Sequence, residues 1–181
     1  MSGLIVPFGG FTPKVDRSAY IAPNATLVGD VEIGANASIW FGVILRGDGP
    51  GIRVGENTNL QDCTVLHVAA RGLMAVVGKN VNVGHLALLH ACEVQDDSFI
   101  GMNATVLDGA VVESGAMVAA GALVPPGKIV RKGELWAGNP ARKLRDLTEK
   151  DYEMFRRVVA GYVKKGALYR ADQNQTAKAA E

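Results

Sequence analysis

The chain has only two cysteines, Cys63 and Cys92, so it holds no set from which a disulfide framework could be built. Both are expected to be free thiols, buried or partly buried. Aromatic residues are few, at 6%, and charge is nearly cancelled, with 19 basic against 18 acidic side chains. That balance lacks the electrostatic footprint of a nucleic-acid or anionic-membrane binder, so neither partner is expected. No apolar run approaches the length of a membrane span. Met1 to Phe11 carries neither a basic n-region nor a full apolar h-region, so no signal peptide is expected and the chain reads as soluble and cytoplasmic. Histidine is scarce too: His67, His85 and His90 are the only three, all within the stretch from Arg46 to His90.

Glycine, by contrast, is plentiful at 22 residues, and valine, isoleucine and alanine carry most of the apolar content. Such a composition favours tight turns and thin, strand-built walls. At 181 residues the chain suits one domain, large enough to bury roughly two thirds of its unfolded surface. Aliphatic residues recur every six positions. The series run Ile21, Leu27, Ile33, Ile39, Leu45; then Val54, Leu60, Leu66; then Val77, Val83, Leu89; then Val94, Ile100, Val106, Val112, Val118, Val124. This period is neither helical nor simple alternation. Three strands of about six residues make one triangular coil, and coils stack about 4.8 Å apart through parallel ladders with the aliphatic residue inward. The reading is mainly β: a parallel β-helix of hexapeptide repeats.

The period breaks three times. Leu45 to Val54 spans nine residues and holds Arg46-Gly-Asp48-Gly-Pro-Gly51. Leu66 to Val77 spans eleven and holds His67 with a loop through Arg71 and Gly72. Leu89 to Val94 spans five and holds His90. All three fall on one face, and insertions on one face of a solenoid usually mark the functional side. Leu135 to Ala141 is expected to close the last coil. Thr148 with Asp151 three residues on reads as an N-cap with an acidic first turn. Tyr152, Phe155, Val159, Tyr162 and Val163 then keep helical spacing over about twenty residues. The expected division is therefore a β-helix over 1–142, an amphipathic helix within 143–170 packed on it, and a frayed tail over 171–181.

With the hexad as ruler, Arg46, His67 and His90 are the second residue of the same face in three successive coils. Two imidazoles in one column can converge on a metal at Zn–N distances of about 2.0–2.1 Å. His85 lies on the neighbouring face; it could reach the pair round the corner or from an adjacent subunit of a threefold ring. Asp62 occupies the hexad position of His85 one coil earlier, where a carboxylate could orient an imidazole or pair with an arginine.

These residues resemble the gamma-class carbonic anhydrases, most closely the small bacterial members encoded with carnitine and phenylacetate pathways. The matching pieces are Arg46-Gly-Asp48, Asn59-Leu-Gln61-Asp62, His67, Val83-Gly-His85, His90, Ile100-Gly-Met102 and Leu107-Asp-Gly109. The resemblance implies left-handed winding and a homotrimer with metal sites at its interfaces, His67 and His90 from one chain and His85 from the next. Zn²⁺ is the implied metal, with Fe²⁺ or Co²⁺ also suited to imidazoles. Arg46, Asp48 and Asp62 would form the interface ion-pair set, Gln61 anchored by Asn59 would hold the metal-bound water, and Tyr162 would lie near the pocket, with Tyr152 and Tyr169 as competitors for that place. The implied reaction is reversible hydration of CO2 to bicarbonate by a metal-bound hydroxide. The chain departs from the best-characterised members in its loops: Gly49 follows Asp48, Ala69-Ala70 follow His67, and the glutamates of those loops are absent. Lys164 stands where some members carry an asparagine. Two other readings survive: a hexapeptide acyltransferase or CoA-thioester enzyme, whose coil-ending segment Trp136 to Arg142 resembles, and a catalytically silent metal-binding assembly subunit.

Overall fold

Three columns of aliphatic side chains run the length of the molecule, each built by parallel ladder pairing. Leu27, Leu45, Leu66, Leu89, Val106 and Val124 are successive partners. Ile33, Val54, Val77, Val94, Val112 and Val130 form the second column. Ile21, Ile39, Leu60, Val83, Ile100 and Val118 form the third, which Trp136 ends. All but Trp136 are at most 4% exposed. The computed structural model describes residues 3–69 and 72–179. Ala70 and Arg71 of the loop expected after His67 lie outside the described residues, as do Met1, Ser2, Ala180 and Glu181.

The architecture is the expected left-handed β-helix, with about seven coils. Strand alternation turns the residue two before each column member inward as well, and there the sequence places small side chains: Ala25, Ala37, Ala104, Ala110, Ala116 and Ala122 are all buried. A prism this narrow has no room for two large residues per strand. Where the small residue is polar, its hydroxyl returns to the backbone: Thr58 donates to Gly78 O at 2.6 Å and Thr64 to Gly84 O at 3.1 Å.

The longer interval from Leu45 to Val54 is a strand and not a loop. Thr26–Ile33 and Ile44–Val54 both turn a corner without a break, joining two faces into one sheet, with a register shift between Gly29 and Val31. At that crossing a Cβ on Gly29 would stand 2.4 Å from Gly47 O, so only glycine lets the two backbones approach. The opposite corner is lined by left-handed turn residues: Asn36, Asn57, Asn80 and Asp97, then Gly115 and Gly133. Their amides form a ladder, Asn36 to Asn57 at 3.3 Å, Asn57 to Asn80 at 3.0 Å and Asn80 to Asp97 at 3.0 Å.

The C-terminal segment differs from expectation at both ends. Ala141–Asp146 is a strand antiparallel to Glu134–Gly138, so the first residues assigned to the helical segment close the sheet instead. Lys143 bridges to Glu134 at 3.1 Å across this pair, which favours the hairpin over an early helix. The helix runs Glu149–Ala179, so 171–179, expected as frayed tail, is helical. Arg170 donates to Arg17 O at 2.7 Å and Gln173 to Ile21 O at 3.3 Å, which ties this stretch to the first coil. At the other end Asp151 accepts from the Thr148 amide and hydroxyl, both at 2.7 Å, and Tyr152 donates to Gly115 O at 3.3 Å. Between these ends Phe155 stacks on Phe99 with ring centroids 4.9 Å apart, and Gly166 passes close over Tyr20 and Ser38. The helix thus runs back along one face from the Gly115 coil to the first. Among the described residues no helix is long and apolar enough to cross a membrane.

Candidate functional site

Arg46, His67 and His90 are ladder neighbours, as their hexad positions required. Each follows an inward leucine, so alternation turns it outward. The two imidazoles converge: His67 Nδ1 lies 3.1 Å from His90 Nε2. Their other nitrogens meet carboxylates, His67 Nε2 with Asp48 Oδ1 at 3.1 Å and His90 Nδ1 with Asp108 Oδ1 in a very short contact. Asp48 also takes Arg46 Nη1 at 2.6 Å. Partial burial alone would raise its carboxyl pKa, but hydrogen bonds from Arg46 and His67, with the guanidinium charge, outweigh it and hold Asp48 below the usual carboxylate range.

His85 is elsewhere. It turns outward on the adjacent face, where its Nδ1 lies 2.8 Å from Asp62 Oδ2, the pairing that their shared hexad position suggested. Among the described residues of this single chain, no three His, Cys, Asp or Glu side chains are grouped so as to hold a metal. The described residues thus form two separate groups: a histidine pair on one face, and a histidine–aspartate pair across the corner.

Next to the histidine–aspartate pair lies a buried amide cluster. Gln61 Nε2 donates to Asn59 Oδ1 at 3.0 Å and to Asn82 Oδ1 at 2.8 Å, and all three residues are at most 4% exposed. Both amide hydrogens of Gln61 are thus committed, which fixes its orientation and leaves Oε1 as an acceptor. Tyr162 packs edge-on against Trp40 with centroids 5.4 Å apart, and burial followed by the charge of Asp62 raises its pKa. The charge of Asp62 thus reaches this helix tyrosine. Tyr152 is engaged at the opposite corner, while Tyr169 packs with Tyr20, Trp40 and Phe41. Burial, then Tyr169 and Asp62, pushes Tyr20 up to about 12.

Sequence reasoning missed Asp108 and Asn82 as site residues. Asp108 stands two residues after Val106, the ladder partner of Leu89, and so one position beyond the equivalent of His90; the coil between them is one residue short, and the repeat count alone does not single it out. Asn82 was within reach as the ladder partner of Asn59. Cys92, two residues from His90, is buried and its thiol is pushed up to about 12, first by desolvation and then by Asp108, so it stays protonated and makes a poor metal ligand.

No family model matches the chain. It is 42% identical over 170 residues to gamma carbonic anhydrase 2, mitochondrial, of Arabidopsis thaliana, covering 91% of this chain. The chain spans only 61%, 56% and 58% of three such Arabidopsis proteins. Against a carbonic anhydrase of Geobacillus kaustophilus it is 43% identical over 178 residues, 98% of this chain and 97% of that protein. Among solved structures, a hexapeptide transferase family protein from Anaplasma phagocytophilum matches with TM-score 0.88 and 48% identity, covering 92% of this chain and 98% of that one. With the full-length bacterial match and the plant relatives in agreement, the chain belongs to the gamma-class carbonic anhydrase family.

Proposed function

We propose that this chain is a metal-dependent carbonic anhydrase, catalysing the reversible hydration of CO2 to bicarbonate at a site completed across a subunit boundary of a homotrimer. The observation that carries this reading is the facing pair of ring nitrogens at 3.1 Å on His67 and His90. Each ring has a carboxylate against its other nitrogen. If both carboxylates take an N–H, as their charge favours, two lone pairs face one another and a cation between them removes the repulsion. Ligands on tetrahedral apexes about 2.0–2.1 Å from zinc stand about 3.3 Å apart, so the pair fits a divalent metal. His85, oriented by Asp62, supplies the third ligand from the neighbouring subunit. Zn²⁺ is the expected ion, with Fe²⁺ or Co²⁺ acceptable to the same donors.

A bound divalent ion supplies Lewis acidity, lowering the pKa of a coordinated water to about 7. The chain's own residues do the rest. Asp48, Asp62 and Asp108 fix ring orientation, and the Arg46–Asp48 pair holds the wall of the site. Gln61, with Asn59 behind it, accepts a hydrogen from water through Oε1. The phenol of Tyr162, kept protonated by its raised pKa, is a donor for an anionic product. Metal content per chain tests this, measured on protein purified without chelator and without air, beside His67→Ala, His85→Ala and His90→Ala. About one ion per chain, lost in each variant, followed by CO2 hydration in stopped flow, is the expected result. No metal and no uptake on addition would sink it.

The Anaplasma structure is named as a hexapeptide transferase family protein, which keeps one other reading in play: the hexapeptide acyltransferase, whose coil-ending segment Trp136 to Arg142 resembles. His90→Ala separates the two, since an acyl-CoA activity would survive loss of the metal pair in part. A metal-loaded protein that hydrates no CO2 would support a silent assembly subunit.

A further inference from the structure

On the side of the helix away from the histidines, a cavity of about 840 Å³ lies between the helix and the asparagine corner. Its floor is the column Asn57, Asn80, Asp97 and Gly115, equivalent positions in four successive coils. Three ladder steps of about 4.8 Å make that floor about 14 Å long. The volume lies within the range of about 300–1,000 Å³ typical of small-molecule sites.

The two walls differ in chemistry. Phe155, Val159 and Val163 recur at helical spacing and present an apolar wall. The floor is rich in hydrogen-bond donors. The asparagine ladder uses one hydrogen of each side-chain amide, leaving a second on Asn57 and on Asn80, and the Ser114 hydroxyl adds another. The one carboxylate on the floor, Asp97, already accepts from Asn80 at 3.0 Å. Lys132, Arg156 and Lys164 supply positive charge at the rim. Arg156 is paired with Glu149 at 2.6 Å, whereas Lys132 and Lys164 make no ion pair among the described residues.

An apolar wall facing a donor-rich floor, with two unpaired ammonium groups at its edge, is complementary to one class of ligand. We propose that this slot binds an elongated amphipathic organic anion, its apolar body against Phe155, Val159 and Val163 and its anionic head among the amides and lysines. The site is separate from the histidine pair and serves as a binding site, not as a part of the hydration chemistry.

The test uses the full, metal-loaded chain and anilinonaphthalene sulfonate, a fluorescent anion with an aromatic body, with dodecanoate as competitor. Ala160→Trp fills the slot from an exposed helix position, and Lys132→Glu with Lys164→Glu reverses the rim charge. The expected result is one saturable site per chain, displaced by dodecanoate. It should be lost in the tryptophan variant and weakened by about ten-fold or more in the charge-reversed one, with metal content unchanged in both. Emission that does not saturate, or that survives both variants, overturns the proposal. Loss in Ala160→Trp without any effect of charge reversal overturns its anionic half, since an apolar cleft alone would behave that way. Cooperative melting of both variants confirms that the fold is retained.

Discussion

Asp108 reaches the site through one nitrogen of His90, and the consequence is specific. An aspartate there holds the ring and raises its basicity, so Asp108→Asn keeps an acceptor but removes the charge. Metal affinity, measured by competition with a chelator, should fall about 10–100-fold, with the helical and strand signals unchanged. Gly49 and Ala69 have the opposite kind of consequence, because neither can carry a proton. Turnover of CO2 should therefore rise with the concentration of an imidazole buffer and fall when that buffer is diluted at fixed pH. A buffer-independent rate would require a proton carrier in the chain itself. The histidines and Asp62 were legible in the sequence because the hexad count puts equivalent residues a coil apart. Asp108 does not obey that count: it stands two residues after the inward Val106, where His90 stands one after Leu89, because the coil between them is one residue short, and so it passed among ordinary turn aspartates.

Element by element, the columns were the clearest signal and the C-terminus the faintest. A leucine such as Leu89, fully buried with Leu66 and Val106 as ladder neighbours, leaves a void if truncated. Leu89→Ala should cost about 2–5 kcal/mol in denaturant titration. The hairpin at Ala141–Asp146 was not legible, because its strand is mostly exposed and carries no alternating apolar pattern. The far end of the helix was hidden for a related reason: 171–179 is held by Arg170 and Gln173 reaching backbone carbonyls of the first coil, contacts that polar composition does not reveal. The near end makes a pH prediction. Arg145 first, then the amide and hydroxyl of Thr148, hold the Asp151 carboxyl well below the carboxylate range. Its folded pKa is depressed below the unfolded value of about 3.9, so its contribution is complete above that pH and is lost as pH falls toward the folded value. Asp151→Asn should cost about 1–2 kcal/mol at neutral pH, and that difference should shrink progressively below about pH 4.

The whole molecule carries its three histidines in two separate places, and under the proposed shared site this separation makes the assembly itself testable. A chain bearing His85→Ala retains the pair of rings, while a chain bearing His67→Ala retains the lone one. Each variant alone should bind no metal. Refolded together in equal amounts, they should recover about a quarter of the sites, wherever an intact pair meets an intact His85 across a ring contact. Recovery of none would place all three ligands within one chain and dismiss the shared site.

The long helix has a further consequence for how this protein comes apart. A stack of coils touching only their neighbours is a one-dimensional array, which can melt gradually from either end. Here one rod is fastened to the Gly115 coil by Tyr152 and to the first coils by Arg170 and Gln173. The earliest coils cannot peel away without releasing that rod along its whole length, and the later ones are held by its other end. The rod therefore works as a clasp, turning a zipper into a latch that opens all at once.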